Sequence, residues 1–335
     1  MFRRITALLI FLIATDLLAE DAIPFSEFRD RFKRRTVFFF PEDNPNTEAK
    51  IVLGKTLFFD PRLSGNNAMS CATCHIPALA FSDGQPQAIG SGGKRLERRT
   101  PSLINVAFAD KLMWDSEFTS LEAQAIAPIR KKTEMNQDLK KLPAELKRIA
   151  GYGPLFEAAF PGEEISVKNV ARALAVYQRT IVSGVSPWEK FLNGDDNSMS
   201  IDAKLGMDLF MGKARCNVCH MGWTFSDNSS YDLGLKTNDK GQGRLTKGEG
   251  WDDFKFKNPP LLDIVHRAPY MHDGSLADLQ AVIEFYNRGG DVDRKYKSAD
   301  VRPLNLTPLE KHQILSFLRA ISAPLPSVEP PVLPE

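Results

Sequence analysis

All four cysteines of the chain fall into two copies of one short motif, and this constrains the fold more than any other feature. The copies read C-A-T-C-H at residues 71–75 and C-N-V-C-H at residues 216–220. Because the two copies use every cysteine, none is left for a disulfide elsewhere. The fold must therefore form two equivalent turns, each presenting two thiols and an imidazole.

The spacing C-x-x-C-H is the attachment sequence of c-type haem. Two thiols of one turn form thioethers with two vinyl groups, and the adjacent imidazole faces the iron. A redox dithiol or a split zinc site also uses paired cysteines, but the histidine that ends both copies favours haem. We therefore expect two covalently attached c-type haems. The residues that hold them are Cys71, Cys74 and the iron ligand His75, and Cys216, Cys219 and the iron ligand His220.

The composition is that of a soluble globular protein. The 335 residues suit about two domains of ~100 to 200 residues. Hydrophobic residues make up 43% and charged residues 25%, which excludes a disordered chain. The 43 Lys+Arg balance 42 Asp+Glu, so no overall field recruits nucleic acid, and we expect no nucleic-acid partner.

Both ends of the chain differ from the rest. Residues 1–19 carry two arginines, an apolar run and the sequence L-L-A, which predicts a signal peptide. The run is short for a span of ~20 residues, and an uncleaved membrane anchor is the alternative. We expect export to the periplasm, where c-type haems are attached, with no stable membrane insertion after cleavage. The proline-rich residues 323–335 cannot propagate a helix and predict an extended, solvated tail without an assigned function.

An ordered internal repeat predicts two related domains. L-G-x-x-L-F precedes the first motif at residues 53–58 and the second at residues 205–210. After the motifs, P-S-L-I at 101–104 matches P-P-L-L at 259–262, and W-D at 114–115 matches H-D at 272–273. Such self-similarity indicates duplication. We expect haem domains at residues 20–188 and 189–322, separated near the helix-breaking residues 193–198.

The local signals are helical. Val170, Leu174 and Tyr177 have helical spacing, and Thr307 with Glu310 forms a capping box. Strand alternation is scarce, so the expected fold class is mainly α, with two cytochrome c-like haem domains. Residues 226–258 resemble a long surface loop. Its lysines, like the basic residues 94–99, are expected to be solvated.

The ligands on the far side of each iron decide the function, because only an iron with a vacant position binds a small substrate. Candidates at the second haem are Met271, His266, His272 and Tyr286. A capping signal at Ser275 predicts a helix that places the phenol on an apolar stripe. That spacing alone favours a core role for the tyrosine. The residues of this stripe are Leu276, Leu279, Ile283 and Tyr286.

The first haem lacks an evident ligand on its far side. The corresponding segment is expected to stop at Pro128, which stands 158 positions before Tyr286. Gln124 and Glu134 are the polar residues of this region, and such residues are more often found at the surface.

Several motifs in this order resemble the bacterial di-haem cytochrome c peroxidase and MauG family, over about residues 45–322. They are L-G-x-x-L-F-F-D-x-R-L-S before the first C-x-x-C-H, then T-P-S-L-x-N, W-D, E-x-Q-A, E-M-N and P-Y-M-H-D-G. The resemblance implies that the haem on His75 is peroxidatic, with Glu134 as the acid-base group and Gln124 as its amide partner. It also implies that Trp114 lies between the haems and that His220 anchors the electron-transfer haem.

Three positions depart from the peroxidases. Ser91 replaces a loop histidine that blocks the peroxidatic iron, which implies a permanently open site. Tyr286 replaces the methionine ligand of the second haem, as in MauG-like members. A phenolate stabilises higher iron oxidation states, whereas a thioether raises the potential. Arg99 replaces an asparagine that binds calcium, which leaves calcium uncertain.

We therefore expect an enzyme, a di-haem oxidoreductase that uses hydrogen peroxide to form an oxidant shared by both haems and oxidises a protein partner. One alternative is a periplasmic peroxidase that draws electrons from a small c-type cytochrome. The other is a non-catalytic di-haem electron carrier.

Overall fold

The structure is a computed structural model that describes residues 25–35, 40–246 and 250–335. The expected signal peptide at residues 1–19 lies outside these ranges. The fold is mainly helical, as the sequence predicts. The α-helices in the described ranges are α1 (Phe25–Phe32), α2 (Glu48–Phe59), α3 (Cys71–Cys74), α4 (Leu121–Arg130), α5 (Leu142–Lys147), α6 (Tyr152–Ala159), α7 (Val167–Arg179), α8 (Pro187–Leu192), α9 (Ile201–Met211), α10 (Leu279–Asn287) and α11 (Pro308–Ala320).

One short sheet accompanies the helices. Its antiparallel strands are β1 (Ser230–Tyr231) and β2 (Phe256–Lys257). Both strands lie in the segment expected to be a surface loop, and that expectation is wrong in part. Asp232 and Asn258 are buried there, because the segment folds against the interior rather than over the surface. No helix within the described ranges is long and apolar enough to cross a membrane.

Two glycines let two pairs of helices pack closely. Helix α2 packs against α7, and α9 packs against α11. A Cβ atom on Gly54 would lie 2.1 Å from the carbonyl oxygen of Ala173, and one on Gly206 would lie 1.9 Å from that of Gln313. Only a residue without a side chain permits this approach. These are the glycines of the two L-G-x-x-L-F segments.

The capping box predicted at Thr307 is confirmed, since its side chain and that of Glu310 cap α11 reciprocally. The predicted start of α10 at Ser275 is wrong. Asp278 is the N-cap and accepts a hydrogen bond from the backbone N–H of Ala281 at 2.8 Å. Leu276 stays outside the helix because its backbone forms an isolated bridge with Tyr270.

Helix α4 runs to Arg130, past the stop expected at Pro128. A proline removes one N–H donor from a helix. The next turn still closes here, because the backbone N–H of Lys131 donates to the carbonyl of Ala127 at 3.2 Å. Pro128 therefore stays within the last turn of α4.

The buried apolar side chains form two large clusters. One draws its buried members from residues 53–181, and the other from Phe32 and residues 188–321. Helix α1 thus packs with the second cluster, although it precedes the first in sequence. The tail is extended, and its Leu325 and Val328 pack against the first cluster.

Local backbone features recur at a spacing of 158 residues. Asn105 and Asp263 both adopt left-handed conformations, with φ of 62° and 61°. Met113 and Met271 both have φ of 68°. Each asparagine or aspartate directly precedes a short 3-10 turn, at residues 106–108 and 264–266. The two halves therefore form the same backbone turns at equivalent positions, before Met113 in the first half and before Met271 in the second.

Candidate active site

Each C-x-x-C-H turn fixes its imidazole through a backbone carbonyl. His75 follows α3, and its Nδ1 lies 2.9 Å from the carbonyl oxygen of Phe81. His220 follows a 3-10 turn at residues 216–218, and its Nδ1 lies 2.7 Å from the carbonyl oxygen of Phe225. A carbonyl only accepts hydrogen bonds, so Nδ1 carries the proton. Nε2 is thereby left as the donor atom for an iron.

The protonation of these groups suits iron ligation and thioether formation. Burial lowers the pKa of His220 to about 4 and also lowers the pKa of His75. Burial raises the pKa of Cys71 and that of Cys216 to about 12. None of the four cysteines forms a disulfide. Each turn therefore offers a neutral imidazole and two neutral thiols, the donor set of a c-type haem.

Both turns face one continuous cavity of about 820 Å³. This volume lies in the upper part of the range of ~300 to 1,000 Å³ typical of small-molecule sites. Residues from both halves line it, including all six of the motif: Cys71, Cys74, His75, Cys216, Cys219 and His220. Cofactors attached at the two turns would share this interior.

Three cationic residues, Arg99, Lys257 and Arg267, line the cavity wall. Within the described ranges, Nε of Arg99 and both Nε and Nη2 of Arg267 are buried without a hydrogen-bond partner. Burial lowers the pKa of Arg267 to about 10 and that of Lys257 to about 8. The expectation that Arg99 and Lys257 are solvated is wrong, because the chain folds both against this cavity.

An unpaired buried cation is costly. The propionate carboxylates of a haem are anions of the right charge and reach. The residues present therefore fit the group that the motifs imply, and these three side chains would hold its carboxylates.

Glu134 and Gln124 both line the cavity that His75 faces. The Oε1 atom of Glu134 lies 2.9 Å from Nζ of Lys131, and its side chain is 18% exposed. Its backbone carbonyl accepts a hydrogen bond from the N–H of Ser91 at 2.9 Å. Gln124 lies on α4, and its Nε2 donates to the Sδ of Met113 at 3.6 Å. The two polar residues that the resemblance singles out therefore both face this cavity.

A second cavity of about 370 Å³ adjoins this region. Met113, Glu117, Pro128, Lys131 and Glu134 line both cavities. The carboxylate of Glu134 therefore belongs to a wall that the two spaces share.

Tyr286 lies on the cavity face of α10, together with Leu279 and Ile283. The predicted stripe is confirmed for these three residues. Burial raises the pKa of the Tyr286 phenol above its usual value, and the nearby thiols of Cys216 and Cys219 raise it further. The phenol therefore shares this cavity with Cys216, Cys219 and His220.

The structure separates the other ligand candidates. Nε2 of His266 lies 2.9 Å from the carbonyl oxygen of Ala323, so this nitrogen is engaged elsewhere. His272 stacks on Phe256 with ring centroids 3.6 Å apart. Met271 and His272 both line the cavity, as does Tyr286.

Trp114 lies where the two halves meet. Its indole Nε1 donates to the carbonyl of Arg99 at 3.0 Å, and its own carbonyl accepts from the N–H of Lys257 at 2.8 Å. The first contact lies within the first half, and the second joins Trp114 to strand β2 of the second half. Trp114 therefore lines the shared cavity in a fixed orientation.

The sequence alone did not identify some residues of this site. Met113 stands 158 positions before Met271, and this repeat could have identified it. Arg267 and Tyr231 also line the cavity, but neither has a sequence signal that separates it from a surface residue.

Comparisons with known proteins agree with this geometry. The sequence profile of the family described as "Di-haem cytochrome c peroxidase" matches residues 48–197. The chain is 42% identical over 307 residues to the methylamine utilization protein MauG of Methylorubrum extorquens, covering 91% of this chain and 87% of that protein. It is 31% identical over 301 residues to the cytochrome c551 peroxidase of Pseudomonas aeruginosa, covering 87% and 83%.

Solved structures have a similar fold. A MauG-like protein associated with microbial copper homeostasis superposes with a TM-score of 0.80 at 31% identity, covering 85% of this chain and 92% of that one. The di-haem peroxidase BthA of Burkholderia thailandensis superposes with a TM-score of 0.73 at 21% identity, covering 83% and 87%. The second likeness concerns the fold alone.

Proposed function

This chain belongs to the di-haem cytochrome c peroxidase and MauG family, and we propose that it uses hydrogen peroxide to oxidise a residue of a protein partner. Membership makes it a haem-dependent oxidoreductase of the peroxidase type. Our proposal concerns the source of the electrons that the oxidant takes, which we assign to a side chain of a protein partner.

The proposed cofactors are two c-type haems, each joined by thioethers to one C-x-x-C-H turn. We assign one haem to each half of the chain, at residues 20–188 and 189–322, and infer that the halves arose by duplication. The shared φ values at positions 158 residues apart support this inference. So do the matching glycine contacts of α2 with α7 and of α9 with α11.

The chain's own residues would manage the protons of peroxide cleavage. When bound, the haem on His75 supplies the iron at which peroxide binds and its O–O bond breaks. The carboxylate of Glu134 takes the proton of the incoming peroxide and returns it to the departing hydroxide. The amide of Gln124 orients the peroxide beside it. Trp114, in contact with both halves, carries one oxidising equivalent towards the site of His220.

The observation that carries the proposal is that Tyr286 lines the cavity that the second haem-attachment turn also faces. We propose that its oxygen would be the second protein ligand of the iron that His220 holds. An anionic oxygen donor stabilises oxidised iron and lowers its potential. A haem ligated in this way stores an oxidising equivalent better than it accepts an electron. A protein substrate is therefore favoured over a small cytochrome as the source of electrons.

Calcium is proposed to be unnecessary between the halves. The guanidinium of Arg99 donates from Nη2 to the carbonyl of Arg267 at 2.7 Å and to the Oγ of Ser82 at 3.2 Å. The positive charge of Arg99 thus bridges the two halves at the position where the resemblance implies a calcium ion. We also propose that the protein works in the periplasm after removal of residues 1–19.

The test compares two electron sources for the haem-loaded protein. Fully oxidised protein is mixed with peroxide, and the optical spectrum is followed without any donor. We expect spectral changes at both haems that persist, and slow oxidation of an added reduced small cytochrome c.

Fast turnover of that cytochrome would select the peroxidase alternative. A ferric EPR spectrum without a high-spin haem would select the electron carrier. Incubation with candidate periplasmic proteins, followed by mass spectrometry, identifies the oxidised residue of the partner.

A further inference from the structure

Tyr231 and Asp227 form a hydrogen-bonded pair at the edge of the large cavity. Tyr231 lies in β1, where its pairing with Phe256 of β2 fixes the backbone. Its side chain lines the cavity, and its hydroxyl donates a short hydrogen bond to Oδ2 of Asp227. Asp227 is exposed to solvent. The pair therefore extends from the interior to the surface.

The pair lies directly against the second haem-attachment turn. The backbone N–H of Asp227 donates to the carbonyl of Cys219 at 3.1 Å. The Nδ2 atom of Asn258, which also donates to Asp227, donates to the same Cys219 carbonyl. Asp227 is thus tied to the residue that would carry the haem, and the Tyr231 phenol is tied to Asp227.

Asp227 is held in its carboxylate form by several hydrogen-bond donors. Its Oδ1 accepts hydrogen bonds from the Nδ2 of Asn258 at 3.0 Å and from the N–H of Ser229 at 2.9 Å. Burial alone would raise the pKa of Asp227, but the bonds from Tyr231, Asn258 and Ser229 hold it below its usual value. The phenol thus faces an anionic acceptor in fixed geometry.

Other tyrosines lack this combination. Tyr152 also donates to a carboxylate, that of Asp60, but it is fully buried in the first apolar cluster, away from the cavity. Tyr270 lines the cavity, but its hydroxyl donates to the carbonyl of Ile264. Tyr296 is exposed and does not line the cavity.

We propose that Tyr231 is a one-electron relay between the second haem site and the protein partner, with Asp227 as its proton acceptor. The inference rests on the proposed function, because the oxidant is the two-equivalent oxidant that the haem pair forms with hydrogen peroxide. The phenol gives one electron to that oxidant, and its O–H proton passes to Oδ2 of Asp227. A neutral tyrosyl radical and a neutral carboxylic acid result.

An electron from the partner's side chain, together with return of the proton, restores the pair. Two such passes account for the two equivalents of one peroxide. Without a proton acceptor, oxidation would leave a positive charge on a partly buried ring, which is unfavourable. This requirement explains why the exposed end of the pair is a carboxylate.

The test uses the full haem-loaded chain, with tyrosine either unlabelled or ring-deuterated. Each protein is mixed with one equivalent of peroxide per molecule, frozen at short times and measured by EPR, and its optical spectrum is followed in parallel. We expect an organic radical whose hyperfine splitting collapses on deuteration. Tyr231→Phe should lose this signal while the oxidant lasts longer, whereas the control Tyr296→Phe should retain it.

Asp227→Asn keeps the phenol but removes the proton acceptor, and should also lose the radical. In a second measurement, a soluble biotin-phenol is coupled to the peroxide-treated protein and mapped by mass spectrometry. We expect peroxide-dependent labelling at Tyr231, which Asp227→Asn abolishes. Haem content and the resting optical spectrum report whether each variant has folded.

A radical that persists in Tyr231→Phe overturns the inference. So does a wild-type protein that forms the oxidant by its optical changes but shows neither radical nor label at Tyr231. In both results the proposed function survives. If peroxide instead produces no optical change at the haems of any variant, the proposed function fails and the relay fails with it.

Discussion

Replacing Glu134 by glutamine removes the proposed proton carrier while keeping the shape of the side chain. A positioned acid-base group contributes about 10²- to 10⁴-fold to the rate of a proton-coupled step. Each factor of ten corresponds to about 1.4 kcal/mol, so the barrier should rise by about 3 to 5 kcal/mol. Oxidant formation by Glu134→Gln should slow by that factor.

The structure indicates that this loss is separable from stability. The Glu134 side chain contacts the Lys131 ammonium, whose side chain is 57% exposed. An exposed ion pair of this kind contributes about 0 to 1 kcal/mol. The backbone contacts of Glu134 with Lys131 and Ser91 do not involve the carboxylate. Both haems should therefore remain attached, and the resting spectrum should be unchanged.

Stopped-flow mixing of oxidised protein with increasing peroxide gives the second-order rate constant. Glu117→Gln is the matched control, because Glu117 lines both cavities and the charge change is the same. That variant should react about as fast as the wild type. Equal rates for Glu134→Gln and wild type would remove Glu134 from the chemistry, and equal slowing of both variants would point to a loss of local charge instead.

Four other outcomes are expected. Tyr286→Met should give the second haem a His/Met optical spectrum and a higher midpoint potential, and survival of the wild-type low-spin signal would identify another ligand. Arg267→Met removes a buried cation from the cavity wall and should lower the haem potentials in a spectroelectrochemical titration, where equal potentials would contradict the propionate assignment. Gly206→Ala should destabilise the protein by about 1 to 3 kcal/mol, since its Cβ would lie 1.9 Å from the carbonyl oxygen of Gln313; an unchanged thermal midpoint would refute that contact. Treatment with a chelator should leave the optical and EPR spectra unchanged, because Arg99 supplies the charge between the halves; recovery of altered spectra on adding calcium would disprove this.

The sequence predicted those parts of the site that depend on local pattern. Leu279, Ile283 and Tyr286 lie on one face of α10 because helical spacing alone determines it. The start predicted for that helix is wrong, because a backbone bridge between Leu276 and Tyr270 competes with the capping signal. Such a contact cannot be deduced from the residues of the helix itself.

The cations of the cavity wall could not be predicted for a different reason. Arg99 and Lys257 stand in polar segments typical of surface structure, 158 residues apart, and Arg267 follows ten residues after Lys257. Only the folded chain places them in one wall. The internal repeat relates Arg99 to Lys257, but it carries no information on whether these side chains are buried, and burial reverses the usual interpretation of a basic residue.

This wall also bears on the order in which the protein matures. Before any haem is attached, Arg99, Lys257 and Arg267 face the same interior, and mutual repulsion opposes its closure. Each incoming porphyrin brings two negative carboxylates as well as its covalent links. Cofactor insertion and final compaction are therefore expected to occur as one event, because the bound haem completes the packing of the chain around it.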